Sequence, residues 1–562
     1  MNIKSYIENY PFSIVIVFFA FIYIWQPFFA GMYSDDWVFL ISYFTETPNI
    51  SAPFSLDRLT HFMTVYANRP MSGIMFYLVN SICGHNIALV HTFMLSWILA
   101  ALYSYYLFTR EFFEFLSIRK ASMVASITAL VWLVSPWTLG VTAWFSSSIN
   151  LISFIFFSLS LYYLFRGLRL GKHTFAKVGL FYLLSVLTYE SFFFQYFIFL
   201  AIAWLYIKEK KIDKKVLIKH STILSVIVAM TVVWNRLAPT IFDAVINKVI
   251  NPYFLQTLVV NIVSFPYVLI ASFGVFELLA LAVFVPTIIY FIIKLKRNAG
   301  GLKPLFRTKR FAIILLLVSG IFAGFFLYSA AGYTMWAMGS RSRTMFVASF
   351  YIPLIVVIIA AKIAQLNSIS RAMKTRMAFA LFTLSFAALL VNKFDWIEAE
   401  REQKDVIMKF PAEQVTHLDT NDMVVIVAPF RHQWISQFDA PWSIKNQMRY
   451  GKSFYEGDEL VRATDSKFVV GRGVVHPVSG EHYQIYWDGE LLYQGYGLEE
   501  EAKKIDKNFY YNRAESFTAK RLYIWNYYDD TLEQITEPRV FEYEPYYNYD
   551  YWVTWIYKNW VK

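Results

Sequence analysis

The chain has 562 residues, of which 57% are hydrophobic and 20% aromatic, and its formal net charge is +11. A mean hydropathy of +0.42 and long apolar runs exclude a soluble globular protein and indicate a polytopic membrane protein. The first 392 residues carry 31 Lys and Arg against 12 acids, whereas the last 170 carry 20 against 28. The excess positive charge therefore indicates membrane topology, not nucleic-acid binding.

Positive charge is concentrated in five loops, which the positive-inside rule places in the cytoplasm. They lie near residues 110–120, 166–177, 208–219, 294–310 and 362–376. The loops between them are predicted to face outward. This alternation predicts about eleven membrane spans, near residues 11–30, 87–109, 121–136, 148–165, 175–189, 191–207, 216–234, 275–293, 311–331, 345–363 and 377–392.

Two further apolar stretches, Met71 to Cys83 and Leu258 to Phe273, do not fit this alternation. The first is too short to cross a bilayer, and the second would break the charge rule if it crossed. Both are predicted to be helices at the outer interface. The alternative is a pair of ordinary spans with a different topology.

An odd number of spans with a cytoplasmic N-terminus places the end of the chain outside. We therefore predict two domains, a helical membrane domain over 1–393 and a mixed α/β extracytoplasmic domain over 394–562. In the second domain, strands are predicted near 423–428, 468–471 and 482–487. Its aromatic end, 543–560, either rests on the membrane interface or stacks on sugar rings.

The most informative feature is an acidic pair just after the first apolar segment, in Ser34-Asp35-Asp36-Trp37. Adjacent carboxylates repel each other and favour solvation, and acids are rare in this half of the chain. The pair therefore predicts a base, a metal ligand or both at this membrane surface. The alternative is a solvated loop or a helix N-cap.

Other polar residues are predicted on the same face. Candidates for binding a donor phosphate are the cationic residues Arg69, Arg341 and Arg343. Candidates for binding the substrate more generally are Trp37, Asp57, His61, Glu190 and Arg236. Alternatively, Glu190 marks a turn, Arg341 and Arg343 anchor the chain at the interface, and Arg69 caps the helix that follows.

This set of residues favours chemistry on a lipid-borne substrate. Glycosyl transfer from a lipid phosphate needs a carboxylate to take the acceptor proton and cations to stabilise the departing phosphate. It also needs access to the site from the bilayer.

A short N-terminus, a first span and an acidic pair in the first outer loop resemble the GT-C superfamily of integral-membrane glycosyltransferases. Within it, Asp35-Asp36 followed by Asn68-Arg69-Pro70 is most similar to the bacterial serotype-converting glucosyltransferases of O-antigen. The resemblance implies a GT-C-like membrane domain in the bacterial inner membrane and a periplasmic second domain. It also implies a sugar on a polyprenyl phosphate as donor and a glycan such as O-antigen or lipopolysaccharide as acceptor.

By the same resemblance, Asp35 is expected to be the general base of an inverting transfer, and Asp36 to orient it or bind the acceptor. Two carboxylates near Glu190 could hold a divalent metal, but many members of the superfamily need none, so neither a metal nor another cofactor is assigned. The alternatives are an O-antigen polymerase or ligase, or a transporter of lipid-linked sugars. Acids lie at span ends and not at span centres, which disfavours the transporter.

Overall fold

A computed structural model describes residues 9–33, 36, 53–84, 86–210, 212–242, 252–298, 309–333, 335, 340–364 and 370–411, and short pieces at 414–415, 417–418, 423–427, 431–432, 435–436, 447–448, 455, 467–469, 483–485, 522–527, 529–535 and 539–541. Its α-helices are α1 Phe12–Tyr23, α2 Gln26–Phe29, α3 Leu56–Val65, α4 Pro70–Cys83, α5 Ile87–Phe115, α6 Ala121–Leu133, α7 Leu139–Thr142, α8 Phe145–Leu170, α9 Phe175–Thr188, α10 Gln195–Leu205, α11 Lys214–Ile241, α12 Phe254–Ala271, α13 Glu277–Asn298, α14 Lys309–Ala330, α15 Phe346–Ala364 and α16 Arg371–Lys409. Short 3-10 turns connect several of them: Pro136–Thr138, Glu190–Phe192, Gly274–Phe276 and Ser340–Met345.

The described strands all follow residue 411. They are β1 Met423–Val427, β2 Arg431–His432, β3 Ile435–Ser436, β4 Lys467–Val469, β5 Tyr483–Ile485, β6 Leu522–Asn526, β7 Thr531–Ile535 and β8 Arg539–Phe541. Strands in the order β4-β1-β6-β7 form a mixed sheet, in which β1 runs parallel to β4 and β6, and β7 is antiparallel to β6. The three predicted strands coincide with β1, β4 and β5, and the aromatic end at 543–560 lies outside the described residues.

The number of spans differs from the prediction. By length and composition, eight described helices are able to cross a membrane, or nine if the bent pair Ala121–Leu133 and Pro136–Thr142 counts as one. The predicted count of about eleven is too high by this measure. The spans predicted near 175–189 and 191–207 correspond to shorter apolar helices, and α9 has only 14 residues against about 20 needed to cross. The span predicted near 275–293 coincides with α13, of which only the part Gly274–Thr287 is counted, as a shorter apolar helix.

The basic loops meet at one end of the helix bundle, which we call the basic end. Three side-chain contacts join four of the five loops: Arg169 to Glu111 at 2.9 Å, Lys210 to Ser117 at 2.6 Å, and Lys309 to Glu209 at 2.5 Å. The loops predicted to share one membrane face therefore lie together. Which face that is remains a prediction from the positive-inside rule.

Helix α12 is long and apolar enough to cross, contrary to its predicted place at the interface. Its contacts nevertheless stay near the end of α14 that lies away from the basic end. Phe254 packs on Phe326 with ring centroids 4.7 Å apart, and Asn261 Nδ2 donates to Ser329 Oγ at 2.8 Å. Residues seven apart on α12 thus contact one short stretch of α14, as expected for helices that cross at a steep angle.

Small residues set the packing of α14 on α15. Gly320 and Gly324 are four residues apart and occupy the same face of α14. A Cβ at Gly320 would lie 2.5 Å from Tyr351 Cζ, and a Cβ at Gly324 would lie 2.5 Å from Val347 Cγ1. Close backbone approach through small residues is how helices associate where lipid removes the hydrophobic driving force.

Helix α16 is longer than a bilayer requires. Its 39 residues extend about 58 Å at 1.5 Å per residue, nearly twice the thickness of the hydrocarbon core. Its last fifteen residues, 395–409, include eight charged ones. This charged part therefore lies beyond the membrane, where it packs on the pieces of chain that follow it.

Candidate functional site

The carboxylate of Asp36 is fully buried and caps the N-terminus of α8 from a distant part of the chain. Its Oδ1 accepts a hydrogen bond from the Ser146 N–H at 2.7 Å, and its Oδ2 accepts one from the Tyr33 N–H at 3.2 Å. The first N–H groups of a helix have no partner within it, and the helix dipole favours a negative charge there. Of the alternatives weighed for the pair, the helix cap describes Asp36. Asp35 and Trp37 lie outside the described residues.

Trp144 connects this cap to a cation. Its indole Nε1 donates to the Tyr33 carbonyl oxygen at 3.1 Å. The guanidinium carbon of Arg343 lies 4.9 Å from the centroid of the Trp144 ring and 5.5 Å from that of Tyr333. Arginine stacks well on aromatic faces, so the two rings hold Arg343 beside the segment that leads to the acidic pair. Arg341 is in the same 3-10 turn, and its side chain lies outside the described part.

A second cation, Arg69, forms an ion pair with Glu190. The Nε and Nη2 atoms of Arg69 lie 2.8 Å and 2.7 Å from Glu190 Oε2, and its guanidinium carbon lies 4.1 Å from the Tyr189 ring centroid. Burial opposes the charge on Arg69, yet Glu190 and Tyr189 outweigh it and hold the Arg69 pKa above its ordinary value. Arg69 occupies the N-cap position of α4, but its side chain makes no capping hydrogen bond.

Tyr328 links these two cationic groups. Its hydroxyl donates to the Arg343 carbonyl oxygen at 3.1 Å and lies 3.2 Å from Ser191 Oγ, immediately after Glu190 in the chain. The first loop, the segment before α8, the Glu190 turn and the Ser340–Met345 turn therefore come together. We call this the site end of the bundle, defined by Asp36, Arg69, Glu190 and Arg343.

Two hydroxyl groups next to the Asp36 cap are buried without a hydrogen-bond partner among the described residues. They are the side chains of Ser146 and Ser147, in the first turn of α8. Buried hydroxyls in proteins are nearly always paired, so these two are candidates to bind a hydroxyl-bearing ligand or a neighbouring group.

Three other predicted residues lie nearby but have different surroundings. Asp57 is exposed in the first turn of α3, where its charge suits the helix dipole. His61 is partly buried on the same helix, edge-on to Phe62. Arg236 is exposed on α11, two residues after Trp234, whose Nε1 donates to the Ala67 carbonyl oxygen at 2.8 Å.

A metal site is not evident in the part of the chain that the structure describes. No group of three or more His, Cys, Asp or Glu residues there is arranged to hold an ion. Glu190, considered as a ligand from the sequence, instead directs Oε2 at Arg69. The divalent metal therefore stays unassigned.

Several residues at the site end were not predicted. Trp144, Tyr189, Tyr328 and Tyr333 contact the predicted cations, and Ser191 contacts Tyr328. Aromatic residues make up 20% of the chain, so composition gave no reason to single these out. The one usable signal was position, because each lies in or beside a loop that was predicted to face outward.

Comparison with known proteins adds no family assignment: no protein-family model matches the chain, and no curated protein matches it significantly in sequence.

Proposed function

We propose that this multi-pass membrane protein is an inverting glycosyltransferase that moves a sugar from a polyprenyl-phosphate donor to an extracytoplasmic glycan, such as O-antigen or lipopolysaccharide. One observation carries the proposal. At the site end, Asp36 and Arg69, from the two sides of α3, and Arg343, from a distant turn, are connected through Trp144, Tyr328 and Glu190 at one end of an otherwise apolar bundle.

The reaction divides naturally among these groups. The acceptor hydroxyl oxygen attacks the anomeric carbon while the bond from that carbon to the phosphate oxygen breaks. A carboxylate takes the hydroxyl proton, and the bonding electron pair leaves with the polyprenyl phosphate. Attack from the face opposite the phosphate inverts the anomeric carbon.

In this proposal Asp35 is the base and Asp36 orients it. Both oxygens of Asp36 already accept backbone hydrogen bonds, from Ser146 and Tyr33. A carboxylate held by two backbone donors is a good anchor. In this proposal its neighbour Asp35 takes the proton from the acceptor hydroxyl.

Arg343 is the best candidate to receive the phosphate. Trp144 and Tyr333 contact its guanidinium through their ring faces. A guanidinium group matches a phosphate group with a planar fork of N–H donors, so an arginine held in this position suits the departing phosphate. Arg69 is already paired with Glu190, so it suits a supporting role in which it tunes the local charge.

The test is mass spectrometry of lipopolysaccharide and lipid-linked glycans from cells with the gene intact, deleted or carrying single substitutions. A sugar-sized mass increment should be lost in the deletion and in Asp35→Asn, and reduced in Asp36→Asn. The matched control is Asp213→Asn, which makes the same change at the N-cap of α11 near the basic end and should keep the increment.

Protein levels in the membrane fraction must be equal for the comparison to count. An increment that persists in Asp35→Asn contradicts the proposed base. A phenotype seen only in the deletion, with normal glycans in both Asp variants, would shift the function toward transport or polymerisation of a lipid-linked sugar.

A further inference from the structure

The segment before the acidic pair is seated on one face of α16. Tyr33 Oη donates to the Trp396 carbonyl oxygen at 2.6 Å, and Gln403 Nε2 donates to the Met32 carbonyl oxygen at 2.6 Å. Between these two contacts, Glu400 accepts a hydrogen bond from the backbone of Met32. Positions 396, 400 and 403 follow helical spacing, so one stripe of the part of α16 beyond the membrane holds two consecutive residues of the loop, Met32 and Tyr33.

Gly31 makes room for the Glu400 carboxyl group. A Cβ placed on Gly31 would lie 1.7 Å from Glu400 Oε2, closer than any real contact. Only glycine therefore fits at this position while the carboxyl group keeps its place. The three nearest atoms that the added carbon would meet, Oε2, Cδ and Cγ, all belong to the Glu400 side chain.

Glu400 also contacts the region after residue 411. Tyr455 Oη donates to Glu400 Oε1 at 2.8 Å, and Gln403 Nε2 lies 3.2 Å from the same hydroxyl. Gln403 is fully buried. The same pair of α16 side chains thus holds the first loop on one side and Tyr455 on the other.

We propose that Glu400 is a positioning residue, which seats the Gly31–Tyr33 segment on α16 and couples it to Tyr455. This inference rests on the proposed function, because the segment that Glu400 holds leads directly to the acidic pair to which that function assigns catalysis.

The charge state of Glu400 supports this role. Burial is the largest cause that raises the pKa of the Glu400 carboxyl, and the Asp36 charge adds to it, while the Tyr455 hydroxyl, Lys404 and the Met32 backbone lower the pKa; the net value is about 8. The neutral acid adds no negative charge beside Asp36. Ionisation of Glu400 would place a second negative charge beside that of Asp36 and would oppose the seating of this loop on α16.

The sign of the pH dependence follows from this shift. The folded pKa lies above the ordinary value of 4.5, so seating is strongest below about pH 4.5 and weakens as the pH rises toward about 8. Of the other groups that face Glu400, Tyr33 and Tyr455 have pKa values well above 10, mainly because of burial, so they do not titrate in this range.

The experiment measures loop seating without any sugar. Met32→Cys is introduced with Cys83→Ala in the full chain, in lipid nanodiscs, and its reaction with a maleimide is followed from pH 5 to 8. Met32 is 1% exposed, so labelling reports the unseated loop. Rates are normalised to Leu56→Cys in the same background, a site that is 75% exposed.

With Glu400 present, the normalised rate should rise with pH, by at most about tenfold per unit. In Glu400→Gln it should be low and flat, and in Glu400→Ala high at every pH. The control Glu398→Gln, in an exposed ion pair with Arg401, should behave like the parent chain. Equal labelling of the parent, Glu400→Gln and Glu400→Ala would overturn the proposal, and the Gln variant keeps the test valid if the Ala variant fails to fold.

Sugar transfer by the same variants separates this inference from the proposed function. If Glu400 positions the loop for the reaction, Glu400→Ala lowers kcat at every pH, and Glu400→Gln restores it and flattens its pH profile. An unchanged kcat in Glu400→Ala, despite faster labelling, overturns the positioning role. Absence of transfer in the parent chain contradicts the proposed function, whereas labelling still decides how the loop is seated.

Discussion

The carboxylate of Asp36 accepts a hydrogen bond from the backbone N–H of Ser146, 110 residues later in the chain, at 2.7 Å. This contact fixes the start of α8 against the first loop. It also distinguishes the two acids of the pair, because Asp36 already accepts hydrogen bonds from the backbone N–H groups of Ser146 and Tyr33.

Substitutions of Asp36 should destabilise the protein, and the loss of stability should grow with the number of hydrogen bonds and charge interactions that the substitution removes. Asp36→Asn keeps one acceptor oxygen and loses the interaction of its charge with the α8 dipole, at a cost of about 1 kcal/mol. Asp36→Ala leaves the Ser146 and Tyr33 N–H groups unpaired, at a cost of about 1–3 kcal/mol each. In detergent, the melting temperature should be highest for the native chain, lower for Asp36→Asn and lowest for Asp36→Ala. If Asp36→Ala has the same melting temperature as the native chain, Asp36 does not stabilise the start of α8.

The Arg69–Glu190 pair should show strong coupling in a double-mutant cycle. The side chains are 24% and 14% exposed, so Arg69→Gln or Glu190→Gln alone leaves a partly buried charge unpaired. We expect the double variant to lose less stability than the sum of the losses in the two single variants. The difference, which is the coupling energy, should be about 1–2 kcal/mol.

The matched control for this cycle is Lys309–Glu209 at the basic end, whose side chains are 43% and 52% exposed. Exposed pairs contribute about 0–1 kcal/mol because water screens the charges. Equal coupling at the two pairs would mean that the surroundings of Arg69 do not strengthen its ion pair.

Arg343→Lys should weaken donor binding about tenfold, which corresponds to about 1.4 kcal/mol. Lysine keeps the charge but lacks the planar fork, and it stacks less well between Trp144 and Tyr333. The measurement is binding of a polyprenyl-phosphate analogue to the purified chain in nanodiscs. Arg371→Lys, exposed at the start of α16, is the control and should bind normally. Unchanged binding in Arg343→Lys would remove Arg343 from the donor site.

Charge and hydropathy predicted the helical class and the grouping of loops well. Four of the five basic loops meet at one end, and the segments of Asp36, Arg69, Glu190 and Arg343, all predicted to face outward, meet at the site end. The number of spans was less predictable, because α9 and α10 are apolar enough to resemble spans but are too short by length. Apolar composition does not reveal where a helix ends.

The roles of individual polar residues could be predicted only in part. Arg69, Glu190 and Arg343 stood out because charge is rare in this half of the chain. Their pairings depend on long-range packing and did not follow from spacing. Glu400 was hidden for the opposite reason: it lies among the many charges of 395–409, and only its contact with Gly31 distinguishes it.

Topology can be tested at both ends of the bundle. In a Cys83→Ala background, Leu56→Cys near the site end should react with a membrane-impermeant maleimide on intact cells, because Leu56 is 75% exposed. His173→Cys, exposed in a basic loop, should react only after the membrane is permeabilised. The reverse pattern would place the site end in the cytoplasm and contradict an extracytoplasmic acceptor.

Gly31→Ala should unseat the first loop through one specific collision. The added methyl group would displace the Glu400 carboxyl group and with it the contacts to Met32 and Tyr455, so Met32→Cys should label several-fold faster. In a Glu400→Ala background the collision partner is absent. There the Gly31 substitution should add little, so the two effects are strongly non-additive. If instead they add, Gly31 matters for its backbone alone, and the seat of the acidic pair does not depend on the carboxyl group of Glu400.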